Sequence, residues 1–455
     1  MKHLLLVRHA KSSWQEEGLQ DRCRPLNDRG KEQLEPLNLA LLRSGAFGGD
    51  IYSSDANRAR STLAGMLPPQ FPENRIHIDA ALYTFDCQQL LGWLKSLDDQ
   101  QDTVTVIGHN PALLELACHL LKHPPARLPT AGIVSIVFPD QPWRKLAKSK
   151  GKGKLEAFLT PRDYSYREFS RKSRKRIAAK GEEPAKNLQA ELKHQLKRLR
   201  DLESGVRTGL DDEFLHQFRI ALRRSRAIAE ALLDVTDNKT LARSSKPLKR
   251  HAGSTSELRD LHVFLQDLPN LCQGNDELHS ALGTWAQGEA DKAHHAVVEH
   301  LDSKSYRADM HDWEDFIHSG TLKKLAARMR PEDINRAVRN RLESFNRLTA
   351  ETLHDSPDED IHRLRKQLKR IRYLMELDAQ NWKSALKNLK YRQELYGRFQ
   401  DLCVQIDLVR HFQDQAPETM PAAIQNLMEH LRGAKTDTRR QILALGGLGI
   451  NQTEH

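Results

Sequence analysis

Four polar residues stand just past three short apolar runs, and their types suit phosphoryl transfer. Arg8 and His9 follow "HLLLV", Arg58 lies in "SSDANRARST" after "DIYSS", and His109 follows "TVTVIG". A neutral imidazole nitrogen can attack phosphorus and hold the group as phosphohistidine until water removes it. Arginines beside it neutralise the equatorial oxygens as charge redistributes in the transition state. A second histidine adds a hydrogen bond, or a charge if protonated. This chemistry asks for no metal, and no cluster of Asp, Glu and His suggests one, so no cofactor is expected. Arg60, two residues beyond Arg58, is read as structural.

The elements that must position these groups are visible as alternating patterns. "HLLLV", "DIYSS", "TVTVIG" and "IVSIVF" read as buried strands bounded by polar or glycine turns, with "RGKEQLEPLNLALLRSG" and "NPALLELACHLL" as intervening helices. Such alternation predicts an α/β domain with a parallel sheet covered on both faces. Groups just past the carboxyl ends of parallel strands converge on one crevice. "GKLEAFLTP" is expected to be a last edge strand, closing this domain near residue 163.

Beyond about residue 185 the strand signals stop. Leucines at three- and four-residue spacing, with charges between them, predict an all-α bundle. This half also reads as an internal two-fold repeat, about 188–335 and 336–455. "HQFRIALRRSRA" from His216 aligns with "HRLRKQLKRIRY" from His362. The shared basic positions are Arg219/Arg365, Arg223/Lys369, Arg224/Arg370 and Arg226/Arg372. On a helix they fall with the histidine on an arc of roughly 160°, and the second copy adds Lys366. The shared apolar positions, Phe218/Leu364 and Leu222/Leu368, lie on the far side. Acids sit just before each histidine, and Ser356-Pro357-Asp358-Glu359 predicts a capped helix start. A downstream block matches at the same spacing: Lys246, Leu248, Lys249, Asp260, Leu261 and Val263 against Lys387, Leu389, Lys390, Asp401, Leu402 and Val404.

A merely solvated helix face alternates signs, because like charges at i,i+3 and i,i+4 repel. Neither basic segment contains an acid, so a polyanion is the expected partner. A membrane is not expected, since the apolar stripe is committed to the core. Nucleic acid is a poor fit, because stacking aromatics are scarce and only Tyr373 lies close to either stripe. A chain of bare phosphates needs only Lys and Arg.

Composition bounds the rest. The chain of 455 residues carries a net charge of +10, with 38% hydrophobic and 29% charged residues. Fourteen Lys and Arg against three acids between Trp143 and Lys180 give that segment a surplus of +11. Residues 164–187 read as a basic linker. No apolar run is long enough to span a membrane or to form a signal peptide. The five cysteines are scattered, without metal-ligand spacing, and a reducing cytoplasm is the expected compartment.

Residues 1–163, through "VRHAKSSW", "RPLNDRG", "SSDANRARST", "ALY" and "GHNP", resemble the SixA-type phosphohistidine phosphatases of the histidine phosphatase superfamily. The resemblance implies that His9 is the nucleophile, that Arg8, Arg58 and His109 complete the phosphate pocket, and that Arg24 of "RPLN" binds substrate. No carboxylic general acid is evident. Asp79 and Asp86 flank "ALYTF", but neither sits in a clear motif. That favours phosphohistidine, acyl phosphate or phosphoanhydride substrates, whose leaving groups need little protonation.

Residues 188–455, through "HQFRIALRRSR", "LRDLHV", "HRLRKQLKRIRY" and "QDLCV", resemble the CHAD (conserved histidine α-helical) domain. This implies two four-helix halves around a basic groove that binds inorganic polyphosphate, lined by His216, His362, the matched cations, Lys246, Lys249, Lys387 and Lys390. Gln400 stands where the first half has Arg259, so the halves are expected to grip differently. The combined expectation is a phosphatase localised by polyphosphate, associated with polyphosphate granules and acting on a phosphohistidine-bearing protein. The rivals are a polyphosphatase and a non-catalytic polyphosphate-binding protein.

Overall fold

The computed structural model describes residues 1–15, 18–171, 184–328, 330–376, 378–379, 381–416 and 420–449. Two compact units divide near residue 178.

The N-terminal unit is built on a six-stranded sheet: β1 Lys2–Arg8, β2 Asp50–Ser54, β3 Ile76–Asp79, β4 Thr103–Gly108, β5 Ile133–Phe138 and β6 Lys154–Leu159. The strand order is β3-β2-β4-β1-β5-β6. Strands β1 to β4 run parallel, but β5 pairs antiparallel with both β1 and β6. The sheet is therefore mixed rather than all-parallel. An antiparallel neighbour needs no long crossover helix, and only the four-residue helix Trp143–Leu146 separates β5 from β6. The expected edge strand is β6. The short β3 escaped the sequence reading because "IHID" has no continuous apolar run.

Strand β1 explains why "HLLLV" has no polar alternation. Leu4 and Leu6 enter one core cluster and Leu5 and Val7 the other, all four with no exposed surface. Each such side chain contributes about 1.5–3 kcal/mol of burial energy, which fixes the strand's register. Helices Leu34–Arg43, Asn57–Met66, Cys87–Lys95 and Ala112–Leu120 supply the core residues that cover the two faces.

The expected linker 164–187 begins with ordered structure. Helices Pro161–Tyr164 and Tyr166–Ser170 pack onto the sheet unit, with the Tyr164 hydroxyl donating to the Ala131 carbonyl at 2.6 Å. Arg29 Nη2 donates to the buried Glu168 carboxylate at 2.6 Å. Residues 172–183 of that segment lie outside the described residues.

The second unit contains eleven helices among the described residues. Helix Asp212–Thr236 carries the first basic segment and helix Asp358–Glu376 the second, and the two pack against each other. Their apolar positions, including Phe218, Leu222, Leu364 and Leu368, are buried as the periodicity predicts. The downstream blocks differ in structure. Lys246 and Asp260 are divided between helices Lys239–Gly253 and Ser256–Leu271, whereas Lys387 and Asp401 share the single helix Lys383–Gln415. The Ser356 hydroxyl accepts the Leu353 amide rather than being seen to cap the helix that follows.

Candidate active site and cationic helix faces

His9 follows the carboxyl end of β1 and His109 that of β4. Because Arg8 pairs with Gly108, the two histidines emerge side by side, with ring centres 5.1 Å apart. His9 Nδ1 donates to the Ala10 carbonyl at 2.7 Å, which leaves Nε2 as the unprotonated nitrogen. Arg58 Nε donates to that nitrogen at 3.2 Å. Burial, then the charges of Arg58, Arg8 and Arg24, outweigh the Ala10 bond and hold His9 down to about 4. It is neutral at physiological pH, the state in which an imidazole nitrogen can attack.

His109 is held by Ser54 at the end of β2. Ser54 Oγ accepts from the Ala56 amide at 3.3 Å and lies 2.8 Å from His109 Nε2. Assigned with the Ser54 hydroxyl donating to Nε2, the ring carries its proton on Nδ1. Nδ1 is buried and has no partner among the described residues. Burial, then the neighbouring His9 and Arg58, lower His109 to about 3. It is neutral at physiological pH. Arg8 has a similar free atom: Nη1 donates to the Leu128 carbonyl at 2.9 Å, while its buried Nε has no partner.

Arg58 is on the buried side of helix Asn57–Met66, whereas Arg60 is exposed. Arg24 is buried, with Nε on the Ser13 carbonyl at 2.9 Å and Nη2 on the Ser12 hydroxyl at 3.0 Å. Its guanidinium lies 3.2 Å from the centre of the exposed Trp14 ring. The "RPLNDRG" turn owes its shape to close approach: Asn27 Oδ1 accepts the Gly30 amide at 2.9 Å, and a Cβ on Gly30 would stand 2.1 Å from the Lys11 carbonyl oxygen.

The structure thus gathers Arg8, His9, Arg58, His109 and Arg24 at one place and adds three residues that sequence reading missed. These are Ser54, Tyr83 and Asp21. Asp21 Oδ1 accepts from Arg24 Nη1 at 2.9 Å, and Oδ2 accepts from Arg58 Nη2 at 2.7 Å and from the Tyr83 hydroxyl at 2.9 Å. Burial pushes its carboxyl up, but the bonds from Arg58 and Tyr83 win and hold it at about 2. Asp79 and Asp86 are occupied as caps: Asp79 accepts from the Ala81 amide and Trp93 Nε1, and Asp86 from the Gln88 amide, each at 2.8 Å.

In the helical unit the basic positions sort into two groups. Four are in ion pairs: Arg224 with Glu191 at 2.9 Å, Arg226 with Glu230 at 3.3 Å, Arg370 with Glu230 at 3.2 Å and Arg372 with Glu376 at 2.7 Å. The acids missing from each basic segment are therefore supplied from outside it, both earlier and later in the chain. The others converge. Arg219, Arg223, Arg365 and Lys369 are half-buried and near enough for mutual repulsion across the two helices. Burial, then Arg365 and Arg223, bring Lys369 down to about 7. Arg223 Nε is buried without a partner among the described residues. Arg219 Nη1 is anchored by the Ala252 carbonyl at 3.0 Å and the Thr255 hydroxyl at 2.7 Å.

Asp260 and Asp401 face the same cluster, their carboxyls pushed up by burial against the pull of Arg219 and Arg365. His362 Nδ1 lies 2.5 Å from Gln400 Oε1, while His216, lowered by burial, also feels the Arg259 charge. The two histidines are thus differently surrounded. Lys246, Lys249, Lys366, Lys387 and Lys390 are exposed, Lys390 within 3.8 Å of Glu394.

Among the described residues no helix is long and apolar enough to cross a membrane. Residues 4–90 match the histidine phosphatase superfamily (branch 1), and residues 190–410 match the CHAD domain. An uncharacterized chloroplastic protein of Arabidopsis thaliana is 28% identical over 171 residues, covering 35% of this chain and 78% of that protein. A structure of the protein histidine phosphatase SixA complexed with tungstate is 21% identical, covering 35% of this chain and 97% of that one, with a TM-score of 0.28. The CHAD domain from the plant Ricinus communis is 23% identical, covering 58% of this chain and 92% of that one, with a TM-score of 0.47. The chain carries a histidine phosphatase superfamily (branch 1) match at residues 4–90 followed by a CHAD match at residues 190–410, which supports a phosphatase in its N-terminal unit.

Proposed function

We propose that the N-terminal domain hydrolyses activated phosphoryl groups, phosphohistidine foremost, through a phosphohistidine formed on Nε2 of His9. One observation carries this reading: His9 Nε2 bears no proton and accepts from Arg58 Nε, beside two buried donors without partners among the described residues, Arg8 Nε and His109 Nδ1. The phosphoryl oxygens would take those donors and Arg58 while Nε2 attacks. Water then attacks the phosphorus and His9 leaves as neutral imidazole. Among the described residues around the site no carboxyl is free to act as an acid for an alkoxide, since Asp79 and Asp86 are engaged as caps and Asp21 is held ionised by Arg58 and Tyr83. That favours leaving groups such as imidazole, which need little help.

The helical domain is read as a binder of inorganic polyphosphate, its centre being Arg219, Arg223, Arg365 and Lys369. Tethering to such a polymer would raise local substrate concentration without altering the chemistry. The free, scattered cysteines support a cytoplasmic setting.

A time course of long-chain polyphosphate and of a phosphohistidine peptide, each with wild type and His9→Ala, tests both halves. Loss of peptide turnover in the variant, with polyphosphate bound but uncut by either protein, is the expected result. Polyphosphate shortening that depends on His9 would make the polymer a substrate instead. If the peptide is never dephosphorylated, the phosphohistidine reading falls.

A further inference from the structure

The carboxylate of Asp21 lies where an anion from outside would be expected. Its two oxygens bridge Arg24 Nη1 at 2.9 Å and Arg58 Nη2 at 2.7 Å, and the Tyr83 hydroxyl adds a third donor at 2.9 Å. Two guanidinium groups and a hydroxyl around two oxygens is also how a phosphoryl group is held. The contrast in burial is informative. Arg24 and Arg58 are 7% and 3% exposed, whereas the Asp21 side chain is 43% exposed and its three-residue turn, Asp21–Cys23, buries nothing. The donors are fixed and the acceptor is at the surface. Close by, Arg8 Nε and His109 Nδ1 are buried and unpartnered, so the site is part filled and part open.

We propose that Asp21 is an internal competitor for the phosphate subsite: its carboxylate occupies the Arg24–Arg58 pair in the free enzyme, and the substrate's phosphoryl oxygens must displace it. This rests on the reading of His9 as the nucleophile. No bond is made or broken in the displacement, which needs only rotation about the Asp21 side-chain bonds. The exchange has two consequences. Substrate affinity is lower than the arginine pair alone would give, because one set of charge-assisted bonds is traded for another. Product phosphate leaves more readily, because the carboxylate is waiting to take back both guanidinium groups. Asp21 therefore sets the affinity of the site.

The alternative role for the same contacts is to hold Arg58 in position, and the two roles predict effects of opposite sign. The test is the affinity of the full-length protein for inorganic phosphate, by calorimetry and as a competitive inhibitor of phosphopeptide turnover. Asp21→Asn keeps the shape and removes the charge. It is expected to bind phosphate about tenfold more tightly, with KM falling in parallel. Tyr83→Phe, which loosens the carboxylate by one bond, is expected to shift affinity the same way by a smaller factor. Thermal unfolding of each variant checks that the fold is kept, and Asp21→Ala stands in if Asp21→Asn does not fold. Unchanged or weaker phosphate binding in these variants, with wild type still binding, overturns the competitor role and leaves the phosphatase reading intact. If wild type and variants alike take no phosphate, both fall together.

Discussion

Arg58 Nε donates to His9 Nε2 across 3.2 Å, so the nitrogen read as the nucleophile is held by a residue read as a phosphate contact. As phosphate enters, the guanidinium can turn from nitrogen to oxygen and release the lone pair at the moment it is needed. The same contact helps exclude a proton from Nε2, since an arginine beside it disfavours imidazolium.

His9 should therefore titrate near 4 rather than near the 6.5 of an ordinary histidine. Its neutral form is present above that value and is lost as pH falls through it, so the nucleophile persists well into the acid range. Ring NMR shifts of His9 followed from pH 3 to 8 check this, and an inflection above 6 would contradict it. Arg24→Gln, which removes one of the charges lowering His9, should move the inflection upward.

Arg58→Lys keeps the charge but has one head group for three jobs: His9 Nε2, the Asp21 carboxylate and the Asp21 backbone carbonyl. We expect the rate constant for phosphopeptide turnover to fall on the order of 10²–10³-fold, the usual loss for one missing oxyanion donor. Single-turnover kinetics would separate this from weaker binding. A loss of less than about threefold would show that charge alone suffices.

Ser54→Ala removes the hydroxyl bonded to His109 Nε2. One hydrogen bond of about 1 kcal/mol corresponds to a five- to tenfold drop in kcat/KM. Ser54→Thr, which restores a hydroxyl, should recover most of it if the extra methyl fits. If Ser54→Ala is fully active, the proton on Nδ1 is set by something else.

In the helical domain the ion-paired and converging cations should behave differently. Arg223→Ala with Lys369→Ala is expected to weaken polyphosphate binding and lower its salt dependence by about one unit of slope per contact. Arg226→Ala, which loses a cation already paired with Glu230, should change it little. Binding by wild type should also strengthen as pH falls through about 7, where Lys369 gains its proton. Filter binding at several salt concentrations reads all three, and equal losses from every arginine would refute the distinction.

How much of this was legible in the sequence depended on the range of the forces involved. Strand β1 announced itself because each of its four apolar residues meets a core, and the basic helix faces did so because period 3.6 is a local property. Asp21 gave no signal: it is a lone acid in a loop, and its meaning comes from Arg58 and Tyr83, distant in sequence. Glu191 as the partner of Arg224, and Glu230 as that of Arg370, were missed for the same reason, since ion pairs between helices leave no spacing to read. The direction of β5 was invisible because a strand buried on both faces looks alike in either orientation.

The pairing of Arg8 with Gly108 carries a last consequence. Neighbouring strands lie about 4.8 Å apart, and the rings of His9 and His109 stand 5.1 Å apart, so the backbone ladder acts as the ruler for the pair. Separating the rings requires unzipping β1 from β4 at the middle of the sheet. Loss of activity on heating should therefore coincide with loss of the sheet, with no cooler step in which the pair comes apart. For an engineer, the spacing between the two imidazoles is fixed by the sheet, whereas the affinity-setting turn around Asp21 and Arg24 lies outside it.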